Sequence, residues 1–173
     1  MNNVRVEQLI AKKKGLTELL IRFIAVSAAI ILMYFGFRFA GIWGLALGFF
    51  VIYLVYYVFK MTDVEYEYTL VNDELTIDCI FGRDKRKTVA VYNITQAEIF
   101  APINSDRVQN YMKNTMIEAK RFTSGRKEQE EYLLLINTGT NRCKVIIEPN
   151  EKLFDGIKTY IPSKTYKDST DKQ

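Results

Sequence analysis

The side chains with the widest chemical reach in this sequence are two thiols, Cys79 and Cys143, and a few basic or hydroxyl-bearing turns. A catalytic or redox thiol is commonly paired with a histidine, a second nearby cysteine or a metal. Cys79 and Cys143 lie far apart, form no CxxC, and the chain contains no histidine. The same absence removes Ser-His-Asp and Cys-His catalysis and any histidine-containing metal site. Each cysteine falls on the apolar parity of an alternating segment, so both read as small core residues. "TSG" and "NTGT" set hydroxyls beside glycine, but neither precedes a helix at nucleotide-binding spacing. No paired acid and base stand out. These residues point to a non-enzymatic protein with no catalytic residue, no metal ligand and no cofactor.

Binding chemistry is better represented. The cluster "GRDKRK" puts Arg83, Lys85, Arg86 and Lys87 on one expected β-turn. Near an anionic leaflet each such charge adds about 1 kcal/mol of attraction; the competing reading is a solvated hairpin tip. The connection "INSDRVQNYMKNTMI" (103–117) and the loop "FTSGRKEQE" are long for a compact domain, and long loops often carry binding. Arg107, Tyr111 and Arg121 are the candidate partner contacts there, with plain connection an equal alternative. The net charge of +4 is uneven: residues 1–60 hold seven Lys/Arg against two Asp/Glu, and residues 61–173 seventeen against eighteen. A nearly neutral second part argues against nucleic-acid binding.

The elements that must carry these residues begin with apolar spans. "FAGIWGLALGFFVIYLVYYVF", Phe39 to Phe59, is 21 residues without a charge, and about 20 suffice to cross a hydrocarbon core. Before it, a less clean segment of only fifteen residues separates Arg22 from Arg38. With both arginines reaching toward headgroups, a second span covers Leu19 to Phe37. One continuous helix of this length would measure about 55 Å and overshoot the bilayer, and a signal peptide is excluded by the long polar start and the second apolar run. A transmembrane hairpin remains, with Gly36 and Gly41 bracketing its turn. Gly41, Gly44 and Gly48 are its candidate helix-packing residues, the last two spaced GxxxG. Arg5, Lys12, Lys13, Lys14, Arg22 and Lys60 flank the side of both termini and only Arg38 the other, so both termini are expected in the cytoplasm of a multi-pass protein of the cell membrane.

Beyond the hairpin the period changes to two. In "VEYEYTLVNDELTI" Val64, Tyr66, Tyr68 and Leu70 take one face and Glu65, Glu67 and Thr69 the other, with a turn at Asn72 and Asp73. Leu75, Ile77, Cys79 and Phe81, then Val89 and Val91, then Ala97, Ile99 and Ala101 continue this as a four-stranded antiparallel meander. "EAKRF", "YLLLIN" and "CKVIIE" add three strands. Asn150 is placed to cap a last helix with a stripe of Leu153, Phe154, Ile157, Tyr160 and Ile161, stopped by Pro162.

Four strands, three strands and one helix is the element order of a pleckstrin-homology-like (PH-like) barrel. "VEQLI", "DVEYEY", "FGRDKRK", "AEIFAPINSDR", "FTSG" and "EPNEKL" resemble, in that order and over nearly the full chain, a family of uncharacterised bacterial membrane proteins with two N-terminal spans. The resemblance implies a PH-like cytoplasmic domain and carries over no activity. The expected fold class is α+β: a transmembrane helical hairpin, then a seven-stranded antiparallel PH-like β-barrel or sandwich with a C-terminal capping helix. The expected parts are a cytoplasmic segment 1–18, the hairpin 19–59, the PH-like domain 60–162 and a disordered tail 163–173. The expected partners are the lipid bilayer and a protein or peptide bound at the cytoplasmic face, with no nucleic acid. The alternative role is an auxiliary or assembly subunit of a membrane enzyme or transporter, docked through the hairpin.

Overall fold

A computed structural model of the chain describes residues 5–126, 128–137 and 142–167, with the side chain of Ala40 set aside. The turn expected at "TGTN" falls outside the described residues, as do residues 168–173. The chain divides into two compact units. One comprises residues 13–65 and 80–86; the other comprises residues 1–12, 66–79 and 87–173.

The first unit is built on two long apolar helices, α1 (Leu16–Ala40) and α2 (Trp43–Met61). Both are long and apolar enough to cross a membrane, and only 6% and 17% of their apolar windows are buried. Core helices of a water-soluble protein would hide those faces; these leave Phe23, Ile30, Phe49, Ile52 and Tyr56 exposed. Between them Gly41 adopts φ +53°, the left-handed region that favours glycine and lets the chain reverse. The helices approach closely where Gly44 faces the backbone of Gly36: a Cβ on Gly44 would lie 2.7 Å from the Gly36 carbonyl oxygen. At the opposite end, Arg22 donates from Nε to Thr62 Oγ1 (2.8 Å) and from its terminal nitrogen to the Phe59 carbonyl (3.3 Å). An arginine from the start of α1 thus caps a last-turn carbonyl of α2, which no backbone donor within the helix reaches.

Among the described residues the strands number eight and form two four-stranded sheets. The first has the order β1-β2-β3-β4, with β1 Arg5–Ala11, β2 Val64–Val71, β3 Glu74–Phe81 and β4 Lys85–Asn93. The second has the order β5-β7-β8-β6, with β5 Ala97–Pro102, β6 Glu118–Arg121, β7 Tyr132–Asn137 and β8 Arg142–Ile147. This corrects the seven-stranded antiparallel barrel in three ways.

A strand precedes the hairpin, so α1 and α2 form an insertion between neighbouring strands β1 and β2. Its inward parity is Val6, Gln8, Ile10, and the polar Gln8 hides the alternation. The fourth expected strand, β5, leaves the meander. A 3₁₀ turn at Ile94–Gln96, capped by Asn93 accepting from the Thr95 N–H and anchored by buried Ile94, redirects it to pair antiparallel with β7, Phe100 opposite Leu134. Lastly, β6 runs parallel to β8, Glu118 opposite Cys143 and Arg121 opposite Ile146. Helix α3 (Asp106–Lys113), capped by Ser105, lies in the connection that carries the chain from β5 to β6 at the far edge of this sheet.

The main core lies between the sheets, where Ile10, Tyr68, Leu70, Leu75, Ile77, Phe100, Leu134, Ile136, Val145 and Ile147 meet Leu153, Phe154 and Ile157. The last three come from α4 (Glu151–Tyr160), whose N-cap Asn150 accepts from the Leu153 N–H at 2.8 Å, as its sequence predicts. A second cluster of Ala101, Val108, Leu133 and Ile146 packs α3 on the other face of the second sheet. Both faces of β7 are therefore buried, which is why "YLLLIN" is a continuous apolar run rather than an alternation. Residues 163–167, expected to be disordered, pair instead: Thr165 bridges Phe100, and Tyr166 donates its N–H to the Phe100 carbonyl at 2.9 Å.

The buried parity of β1 is directly testable. Ile10→Ala should lower the stability of the full chain in detergent by about 2–5 kcal/mol. Leu9→Ala, on the exposed parity at 56% accessibility, should change it by less than about 0.5 kcal/mol. Thermal unfolding of the two variants side by side checks the assignment.

Candidate functional site

The basic turn is built by a tight hairpin between β3 and β4. Gly82 and Arg83 both take positive φ, +54° and +63°, and the Asp84 N–H donates to the Phe81 carbonyl at 3.2 Å. Positive φ at both central residues gives the mirror-image turn that matches strand twist. Its conformation leaves Gly82 no room for a side chain: a Cβ would sit 2.9 Å from the Lys60 carbonyl oxygen. The Gly82 N–H donates to the Asp63 carbonyl at 2.8 Å, and Lys60 Nζ pairs with Asp84. Arg83 Nε lies 3.5 Å from Glu65 Oε1, and Lys14 Nζ 3.4 Å from Asp63. All of these residues belong to the helical unit, so the turn is held on the last residues of α2. Lys85, Arg86 and Lys87 are exposed beyond it.

The three glycines proposed for helix packing have different surroundings. Gly44 makes the close approach to Gly36 described above, Gly48 is buried but open at its Cβ position, and Gly41 serves the reversal, with open space around it.

Arg107 and Tyr111 lie four residues apart on α3, and Arg121 lies at the end of β6. Arg107 stacks on the Tyr166 ring, 4.2 Å from its centroid. Tyr111 packs in the second cluster, and its carbonyl accepts from Lys144 Nζ at 3.2 Å. Lys144 also donates to the carbonyls of Met112 and Asn114. This buried lysine of β8 caps the C-terminal end of α3, where a cation suits the helix dipole. Arg121 pairs with Glu131 at 3.0 Å. It lines a cleft of about 450 Å³ with Pro102, Asn104, Arg126, Glu128 and Lys167.

A second, smaller cavity was not expected from the sequence. It measures about 260 Å³ and is lined by Gln8–Ala11 of β1 and by Ser124, Arg126, Gln129 and Glu148. Glu148 is only 2% exposed. Its Oε1 accepts from the Ser124 N–H and Oγ, both at 3.0 Å. Gln8 donates to the Glu148 carbonyl and accepts from the Asn150 N–H, each at 2.8 Å. The Glu148 N–H reaches the hydroxyl of Tyr68 at 3.4 Å, and that hydroxyl donates to the Phe122 carbonyl. Burial pushes the Tyr68 phenol above its ordinary range. The only sequence signal for this group was "EPNEKL", where a carboxylate stands just before a helix cap.

The two thiols are not joined in a disulfide. Cys79 is buried and Cys143 half-buried, both free, and burial raises the Cys79 pKa, which disfavours the reactive thiolate. Among the described residues no group of three or more Cys, Asp or Glu side chains is placed to hold a metal ion.

A family model described as "Bacterial PH-like domain (DUF6106)" matches residues 2–167. No curated protein and no solved structure matches the chain.

The glycine geometry separates two substitutions that composition treats alike. Gly44→Ala meets backbone and should lower the thermal stability of the detergent-solubilised chain measurably, whereas Gly48→Ala enters open space and should leave it within about 0.5 kcal/mol. Cys79 should react with iodoacetamide at pH 8 far more slowly than a free-cysteine peptide, and at the peptide's rate once the chain is unfolded, as mass spectrometry of the labelled protein will read.

Proposed function

The chain belongs to the bacterial PH-like domain family, and from that premise we propose that it is a membrane-anchored, non-enzymatic interaction module. It binds a protein or peptide partner at the cytoplasmic face of the cell membrane. The position of β1 carries this reading. It is an edge strand of the first sheet and also the strand from which the apolar hairpin departs. An edge strand offers unpaired backbone donors and acceptors to an extended partner segment. Strands β1 and β2 are neighbours, so a hairpin crossing the bilayer twice starts and ends on the same side. The excess of basic residues at that side supports the cytoplasm. The exposed Lys85, Arg86 and Lys87, beyond a turn held on the end of α2, suit contact with anionic headgroups.

A second reading has its own observation. Val26, Ala29, Ile30, Met33, Ile52, Val55, Tyr56 and Phe59 line an apolar groove of about 390 Å³ along the two helices. As an auxiliary or assembly subunit, the protein would dock a membrane enzyme or transporter there.

Two experiments test these readings. In a chain freed of its native cysteines, Arg38→Cys should label with an impermeant maleimide in intact cells, and Asp84→Cys only after permeabilisation. The reverse pattern removes the cytoplasmic assignment. Co-purification of the full chain from its native membrane should retain a partner, and Ala29→Phe, which fills the groove, separates the two modes. Retention through that substitution favours the sheet edge, loss favours the hairpin, and no partner in either form counts against both.

A further inference from the structure

We propose that the groove along α1 and α2 holds one acyl chain of an anionic phospholipid, with the Arg22 guanidinium taking the phosphate at its end. Arg22 stands one turn before Val26, on the same helix face that Val26, Ala29, Ile30 and Met33 give to the groove. On α2, Ile52, Val55, Tyr56 and Phe59 supply the other wall. Arg22 meets Phe59 and Thr62 while Gly36 meets Gly44, so the helices run antiparallel and Phe59 lies at the Arg22 end of the groove. The guanidinium carbon is 4.9 Å from the centroid of the Phe59 ring. The charge therefore stands over a side chain that itself lines the groove.

Charge and shape together select the ligand. In the helical unit Lys14 pairs with Asp63, Lys60 with Asp84 and Arg83 with Glu65. Glu18, one turn before Arg22, accepts from the Gly15 N–H at 2.9 Å. No carboxylate among the described residues pairs with Arg22, whose acceptors are the neutral Thr62 hydroxyl and Phe59 carbonyl. These two bonds orient the guanidinium through Nε and one terminal nitrogen. The other terminal nitrogen has no protein acceptor among the described residues, so N–H groups are left for a phosphate. The groove measures about 390 Å³ and is aliphatic and aromatic, Tyr56 bearing its one hydroxyl. It follows the helices from Phe59 to Ile52, roughly 10 Å at ~1.5 Å per residue. A free phosphate leaves such a groove empty, and an alkane leaves the arginine unused. An anionic phospholipid fits both, whereas in a zwitterionic lipid the headgroup cation offsets the phosphate charge. The site rests on the anchoring reading, since the groove meets acyl chains only if the hairpin crosses the membrane.

The test is native mass spectrometry of the full chain in detergent micelles doped with equal amounts of dioleoyl phosphatidylglycerol and dioleoyl phosphatidylcholine. The monomer should keep one phosphatidylglycerol, about fivefold or more in preference to phosphatidylcholine, as one basic residue facing an anionic lipid allows. Arg22→Gln should remove that preference. Because Arg22 also ties the helix ends together, a second variant leaves it intact: Val26→Trp fills the groove from an exposed wall and should remove the adduct itself. Replacing Lys85, Arg86 and Lys87 together by glutamine should leave both adduct and preference unchanged. Equal retention of the two lipids overturns the proposal, as does a preference that survives either substitution or is lost in the triple variant. A dimer or a lipid-free chain in place of the adduct overturns it as well. Alkaline carbonate extraction of the native membrane distinguishes the two failures. A chain that stays in the pellet yet retains no lipid removes this site alone, and a chain released to the supernatant removes the anchoring reading with it.

Discussion

The pairing of β1 with β2 is the constraint on which the rest of the chain depends. The two strands are neighbours in one sheet although both apolar helices lie between them in sequence. Closing such a long loop costs little more than closing one half its length, and the helices reduce the cost further by packing on each other. The Gly44 approach to Gly36 near the reversal and the Arg22 bonds to Thr62 and Phe59 at the open end hold the hairpin closed. The chain ends that must meet in the sheet are thereby delivered together. In the sheet topology the helical hairpin is a long insertion between β1 and β2.

The second organising feature is polar. At the side of the sheet unit where β1 lies, Gln8 joins the first sheet to the segment after β8, and Tyr68 joins β2 to the segment after β6. Both bonds run between side chain and backbone at chain exits, where carbonyls and N–H groups leave their ladders and need partners. Leaving such groups unpaired in a core costs about 1–3 kcal/mol each, so these contacts help fix which strand ends lie opposite each other. They connect two sheets whose interior is otherwise filled with Leu, Ile and Phe, where apolar packing alone specifies position less sharply.

The parts of this fold that were legible in the sequence share one property: their signal is local. The change from spans to alternation at Val64, the turn at Asn72, the cap at Asn150 and the stripe on α4 each arise within a dozen residues. What was not legible depends on partners far along the chain. β1 was hidden because Gln8 breaks the apolar parity, and a glutamine is tolerated there only because Glu148 and Asn150 receive it. The transfer of β5 to the second sheet and the parallel placement of β6 follow from chain reversals at Ile94–Gln96 and α3 that alternation cannot orient. Lys144 looks like an outward residue of a half-exposed strand, and its burial follows from the helix whose end it caps. The site residues divide the same way. The basic turn was visible as composition, while a cavity built by β1, Ser124 and Glu148 could not be seen before β1 was known to be a strand.

The turn itself shows why composition overstates its charge. Asp84 pairs with Lys60 and Glu65 with Arg83, so two carboxylates are interleaved with the cations that would attract a leaflet. Exposed pairs of this kind contribute little stability, about 0–1 kcal/mol each, and salt screens them further. What they supply is position: with the Gly82 N–H bonded to Asp63 and no space for a side chain at Gly82, the turn has one way to lie on the end of α2. The exposed cations at 85–87 follow directly on this turn. A modest local charge held in register does more to orient a contact than a larger one on a mobile tether, because less conformational entropy is lost when the contact forms.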